Sequence, residues 1–157
     1  MSAAIRRAVP GDAPVLLALA AVLARTQDDP DERTTAADLV RAWLAEDAIG
    51  LALIAELGGL PVGYIALSPS FESSHASHGF YVSDLVVDAA HRRRGIGTAL
   101  LEAAAREAQA AGRDCLWWVA RANNEAAHAF YRRFASVEDP LVGFAVFGPS
   151  LQRLAAS

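Results

Sequence analysis

Lysine is missing from this chain: all 14 basic residues are arginine. That absence removes both a phosphate-binding-loop lysine and a Schiff-base lysine from the chemistry open to it. Cysteine occurs once, at Cys115, so no internal disulfide can form, which suits a reducing cytoplasm. No apolar run reaches the 18 residues a membrane span needs. The run VLLALAAVLA at 15–24, behind Arg6 and Arg7, imitates the core of a secretory signal. Asp12 stands between them, and Asp12-Ala13-Pro14 reads instead as a helix N-cap with proline in the first turn. His75, His78 and the distant Cys115 lack the spacing of a metal constellation, so no metal is expected. A cytoplasmic protein with no membrane partner is the expectation.

What is present describes an ordinary globular chain. With 157 residues, 54% hydrophobic and 20% charged, it fits a single domain over 1–157 with one core. A net charge of −4 makes the molecule as a whole repel nucleic acid and anionic membranes, so any basic cluster acts locally.

The periodicity predicts alternating strands and helices without repeats or linkers. Strands are expected at Ala3–Val9, Leu51–Glu56 and Pro61–Leu67, the last two joined by a hairpin at Gly58-Gly59. Further strands are expected at Phe80–Val87, Asp114–Ala120 and Gly143–Phe147, with SPSFESSHASHG before Phe80 as a polar loop. Helices are expected at Ala13–Ala24, at Ala36–Glu46 behind a Thr35/Asp38 capping box, at Thr98–Ala111 ended by Gly112, and at Glu125–Phe134. The order implies an α/β domain that opens with an antiparallel hairpin and contains a right-handed crossover in its middle.

One corner concentrates unusual residues. HRRRGIGTALL, 91–101, places three arginines and two glycines between the strand FYVSDLVV and a helical run. Glycines at 95 and 97 let backbone N–H groups approach a ligand, and the helix that follows aims its positive end at the same point. Arg92, Arg93 and Arg94 add forked donors suited to a pyrophosphate. On this segment alone the reading competes with a solvated basic turn. A Walker loop fails for want of lysine, and a dinucleotide fingerprint fails because Leu100 stands where a third glycine belongs.

The remaining pattern, Arg-x-x-Gly-x-Gly at 92–97 after Leu85-Val86-Val87, resembles the pyrophosphate loop of the GNAT superfamily of acetyl-CoA-dependent N-acetyltransferases. The likeness extends to Asn124-Glu125-Ala126-Ala127-His128-Ala129-Phe130-Tyr131, similar to the family's Asn-x-x-Ala-x-x-Phe/Leu-Tyr segment. It departs after Tyr131, where the family's Gly-Phe is replaced by Ala135-Ser136. The resemblance implies a mixed, mostly antiparallel sheet with a parallel strand pair splayed around the cofactor and about four flanking helices. It implies that Leu85, Val86 and Val87 pair with the pantetheine arm of acetyl-CoA. The N–H groups of Arg93, Arg94, Gly95, Ile96, Gly97 and Thr98 would cradle the pyrophosphate beside Arg92, Asn124 would bond the arm, and Tyr131 would lie near the thioester sulfur.

Amide formation needs a neutral amine, and an alkyl ammonium is about three pKa units from that state at pH 7, roughly 4 kcal/mol. A strand N–H near Val86 is the family-like oxyanion donor. Tyr131, protonated at neutral pH, is the expected acid for the leaving thiolate, the alternative being a packing ring. Asp84 sits in an otherwise apolar strand, where it either contacts a cationic substrate or accepts a structural hydrogen bond. Ser83-Asp84 keeps half of the Glu-Asp pair of the diamine acetyltransferase subgroup, and that subgroup's Gly-Trp appears as Gly143-Phe144. The acids at 28–32 either border a substrate entrance or are a solvated loop. Trp117 and Trp118 face opposite sides of a strand, which leaves a homodimer surface open. The expected partner is a small-molecule primary amine, cationic, of the diamine, polyamine or aminoglycoside kind. A protein lysine or N-terminus as acceptor, and a non-catalytic acyl-CoA sensor, are the alternatives.

Overall fold

Gly58 and Gly59 both take positive φ, 57° and 81°, and with Leu57 paired to Leu60 they close the expected two-residue hairpin turn. The turn joins β2 (Leu51–Leu57) to β3 (Leu60–Glu72). β3 folds back on β4 (Ser77–Val87), and β1 (Ala4–Arg7) pairs with the other edge of β2. β5 (Cys115–Trp117) lies parallel to β4. In this computed structural model, which describes residues 3–26, 33–136 and 138–156, the strands form one five-stranded sheet in the order β1-β2-β3-β4-β5. All its pairs are antiparallel except β4–β5, as expected. The chain divides into two compact units, Met1–Trp118 and Val119–Ser157.

In the first unit the sheet is sandwiched between helices. α1 (Ala13–Thr26) and α2 (Ala36–Leu39), which runs on into a wider π turn over Val40–Leu44, cover one face. Leu16, Leu19, Leu39 and Leu44 pack there on Ala52, Ile54, Tyr64, Ala66 and Val86. α3 (Ile96–Ala110) covers the other face, burying Leu100, Leu101, Ala104 and Ala108 on the β2, β3 and β4 side chains of opposite parity. Local chemistry fixes the helix ends. Asp38 N–H donates to Thr35 Oγ1 at 3.2 Å while Thr35 N–H donates to Asp38 Oδ2 at 3.0 Å, closing the capping box. Gly112, at φ 66°, ends α3: its N–H donates to the Gln109 carbonyl, and Arg113 N–H to that of Ala108.

Three sequence expectations are corrected. Asp12 is not the N-cap of α1 but the last residue of a 3₁₀ turn, Pro10–Asp12, leading into it. Its carboxylate accepts from Val9 N–H at 2.8 Å and from both terminal nitrogens of Arg6, whose Nε and Nη2 also donate to Glu56. The segment read as a polar loop is the end of a long β3–β4 hairpin: Ser68 through Glu72 pair with Tyr81 through Ser77. Serines on a partly covered sheet face break the apolar alternation by which a strand is recognised. Finally, Gly143–Phe147 forms no strand, because apolar alternation is satisfied only where a ladder partner exists.

The second unit holds α4 (Glu125–Tyr131) and α5 (Gly148–Ala155). Among the described residues there are five α-helices, where about four are expected. Within this unit Phe130 meets Tyr131 and Phe134 edge-on, and Arg132 clasps Glu138 through two hydrogen bonds. Among the described residues no helix is long and apolar enough to cross a membrane.

Candidate active site

The parallel pair β4–β5 is short. Only Gly79, Phe80 and Tyr81 of β4 are matched, by Cys115, Leu116 and Trp117. Beyond them β4 carries a bulge: Ala66 pairs with Asp84 but the next residue, Leu67, pairs with Val82, so Ser83 is the extra residue. A bulge increases local twist and turns a strand away from its neighbour. From Val82 to Val87 the β5-side edge of β4 has no strand partner among the described residues.

Alternation decides what that edge offers. Asp88 N–H donates to the Val62 carbonyl, so Asp88 and Val86 face β3. Leu85 and Val87 therefore turn their peptide groups to the open edge. The family resemblance implies an oxyanion donor near Val86, whereas the edge N–H groups belong to the residues on either side of it. Val87's carbonyl is already engaged, accepting from Arg92 Nε at 3.0 Å.

This bond begins a tightly specified corner. Asp88 caps a 3₁₀ turn, Ala89–His91, by accepting from Ala90 N–H, and Arg92 ties the turn back to the end of β4. Arg93 then takes a left-handed conformation at φ 63°, and Gly95 another at φ 80° as the N-cap of α3. Glycine has no side chain to cap with, so the first helical N–H groups, Ile96, Gly97 and Thr98, are left for another acceptor. Arg93 and Arg94 are exposed beside them. A Cβ at Gly95 would meet no protein atom, which leaves the approach to those N–H groups open. The corner fits an anion, and a pyrophosphate in particular.

Asp84 lies on the face that α1 covers. Its Oδ2 accepts from the Tyr64 hydroxyl at 2.6 Å, and the Tyr64 ring is fully buried. Burial pushes the Asp84 carboxyl above its usual range, the Tyr64 bond opposing this, and burial likewise raises the Tyr64 phenol. Tyr64 was not singled out from the sequence; the register Tyr64↔Val86 and Ala66↔Asp84 is what brings it there.

In the second unit Asn124 is the N-cap of α4, its Oδ1 accepting from Ala127 N–H at 3.1 Å. The cap leaves the amide NH₂ as the group available to a ligand. Tyr131 ends α4, and burial raises its phenol pKa, keeping it protonated. His128 Nε2 lies 3.0 Å from the Arg121 carbonyl, a local contact. The acids at 28–32 lie outside the described residues.

Residues 17–135 match the acetyltransferase (GNAT) family. The chain belongs to that family. As a GNAT acetyltransferase it calls for an acyl-CoA donor, and the corner after β4 fits the pyrophosphate of one. Solved structures repeat the fold. An integron cassette protein from the mobile metagenome of V. cholerae superposes with a TM-score of 0.79 at 24% identity, covering 100% of this chain and 99% of its own. An aminoglycoside acetyltransferase from an uncultured soil metagenomic sample gives 0.77 at 27% identity, covering 94% and 100%. A ribosomal-protein-alanine N-acetyltransferase from Brucella melitensis biovar Abortus 2308 gives 0.73 at 24% identity, covering 94% and 100%. The diamine subgroup finds no specific support among them.

Proposed function

We propose that this GNAT acetyltransferase moves an acetyl group from acetyl-CoA directly to a primary amine of a cationic small molecule. The observation that carries the donor half is the uncapped, glycine-led start of α3 at the end of a strand whose edge is open. Acetyl-CoA supplies a thioester carbonyl and a thiolate leaving group. The chain supplies the rest. Arg93–Thr98 hold the pyrophosphate through backbone N–H groups, with Arg92, Arg93 and Arg94 adding charge. The edge of Leu85–Val87 aligns the pantetheine arm as an added strand, and Asn124 bonds it through its NH₂. An N–H of Leu85 or Val87 stabilises negative charge developing on the carbonyl oxygen. The ammonium nitrogen first loses a proton to solvent; as its lone pair forms the C–N bond and the C–S bond breaks, Tyr131 gives its phenolic proton to sulfur, and the second proton shed by the acylated nitrogen restores the phenol and leaves a neutral amide.

Asp84 supports the acceptor half. A carboxylate beside the reacting amine would raise that amine's pKa and oppose the reaction, so its useful partner is a second, distal ammonium on the same molecule. One solved structure that shares the fold is named an aminoglycoside acetyltransferase, and aminoglycosides carry several ammonium groups, which agrees with a polycationic substrate. The test is release of CoA thiol from acetyl-CoA with a panel of diamines, polyamines, amino sugars, monoamines and peptides. Turnover of the polycations is expected to exceed that of monoamines. Peptides as the sole acceptors would reassign the substrate, and acetyl-CoA binding without thiol release would mark a sensor.

A further inference from the structure

The face of the sheet that carries Asp84 changes character along its length. Under α1 and α2 it is Ile54, Tyr64, Ala66 and Val86. Past Ala66 the same side of β3 presents Ser68 and Ser70, outside that apolar cluster. On β4, Tyr81 stands opposite Ser68, and the bulge residue Ser83 brings its hydroxyl to 3.2 Å from that of Ser68. From β5, Trp117 reaches the same face: its ring centroid is 4.8 Å from that of Tyr81, and its indole N–H donates to Ser70 Oγ at 3.2 Å. To do so the indole crosses β4, two strand spacings or about 9–10 Å. It crosses where β4 has Gly79 between Ser70 and Cys115, and the Cys115 thiol fills the space a side chain at Gly79 would take. Ser68, Ser70, Tyr81, Ser83, Asp84 and Trp117 are all half-buried.

The result is a shelf of two aromatic rings edged by hydroxyls, with one carboxylate at its inner end beside the bulge. Each serine has one donor and two lone pairs, so the bonds within the shelf leave acceptor capacity over. Aromatic faces take apolar C–H surfaces and cations, and hydroxyls take hydroxyls. A linear polyamine would call for acids spaced along its path, but the only other carboxylate on this face of β3 and β4, Glu72, is held by His75 at 2.6 Å. Resting on the acetyltransferase reading above, we infer that the acceptor is a ring-shaped, polyhydroxylated amine. Its ring lies on Tyr81 and Trp117, its hydroxyls bond to Ser68, Ser70 and Ser83, and an ammonium group meets Asp84.

The test is equilibrium binding by calorimetry to the CoA-loaded protein, with the polyamino sugar sisomicin and the linear polyamine spermine as probes of similar charge. Wild type binds sisomicin at least tenfold more tightly. Tyr81→Leu loses roughly tenfold for sisomicin and little for spermine, and Ser68→Ala, which removes only a hydroxyl and so guards against misfolding of the first variant, loses severalfold with the same selectivity. Equal affinity for the two probes, equal losses in the variants, or no saturable sisomicin binding overturns the shelf. Thiol release measured in parallel separates the two readings. Selective sisomicin binding without turnover upholds the shelf and removes the transferase reading, whereas turnover of spermine without sisomicin binding does the reverse.

Discussion

Asp84 is held where a carboxylate is poorly solvated, with its pKa raised by burial despite the Tyr64 hydroxyl. A folded-state pKa above the unfolded one means that the charged form destabilises the fold. That cost is absent below the unfolded value of about 3.9, grows as pH rises through the folded pKa, and is constant above it. Asp84→Asn keeps an acceptor for Tyr64 and removes the charge. Its Tm should therefore exceed that of the natural chain at about pH 8, by about 2–4 °C for each kcal/mol relieved, and the gap should narrow toward about pH 4. Thermal melts at the two pH values check this; a less stable Asn variant at the higher pH would mean that the carboxylate is structurally satisfied. The same variant should raise KM for a dicationic acceptor roughly tenfold, about 1.4 kcal/mol, and change KM for a neutral arylamine less. A residue whose loss helps stability and harms binding is placed there for the ligand. Tyr131 calls for a different readout. Tyr131→Phe keeps the ring and removes the proton, so single-turnover acetyl transfer should slow by about 10²-fold or more with acetyl-CoA affinity little changed. An unchanged rate would leave Tyr131 as a packing residue beside Phe130.

At the scale of elements, the corner between β4 and α3 depends on backbone conformation more than on charge. Gly95 stands at φ 80°, where a β-branched residue is strained, and no protein atom lies near the place of its Cβ. Gly95→Val should therefore fold, melt slightly lower, and lose acetyl-CoA affinity by about 100-fold, because the new side chain fills the approach to the first N–H groups of α3. Retained affinity by calorimetry in the folded variant would end the phosphate-loop assignment. This corner was legible in the sequence because its signals are local: two glycines, an arginine run and the start of a helix. The same holds for the Gly58-Gly59 turn, the Thr35/Asp38 box and the stop at Gly112. Long-range features were not legible. Tyr64 finds Asp84 only through the β3–β4 register, and Ser68, Ser70 and Trp117 come together only because that hairpin continues to Glu72 and β5 joins at Gly79. A run of serines between two apolar strands looks like a loop until the face it lines is known.

At the scale of the whole molecule, a chain of net charge −4 is proposed to bind a polyanionic donor and a polycationic acceptor. Long-range attraction can favour only one of them, and here it favours the acceptor. The donor must be held by groups in contact with it: three arginines and the backbone of one corner. At about 0.15 M salt the screening length is about 8 Å, so the distant acids are largely masked while contacts inside the corner are not. Two variants separate the contributions. Arg93→Ala removes a guanidinium but keeps a Cβ and hence the same left-handed backbone, found at φ 63°. Its loss of acetyl-CoA affinity should be several-fold at about 0.05 M salt and should shrink as salt rises, as expected for an exposed charge. The loss in Gly95→Val comes from blocked space and should be nearly independent of salt. Acetyl-CoA titrations of both variants and the natural chain at about 0.05 and 0.5 M salt decide the matter. A salt-independent loss for Arg93→Ala would mean that the arginine acts through the shape of the turn rather than its charge, and a strongly salt-dependent loss for Gly95→Val would undo the view that the backbone N–H groups are the main donors of the cradle.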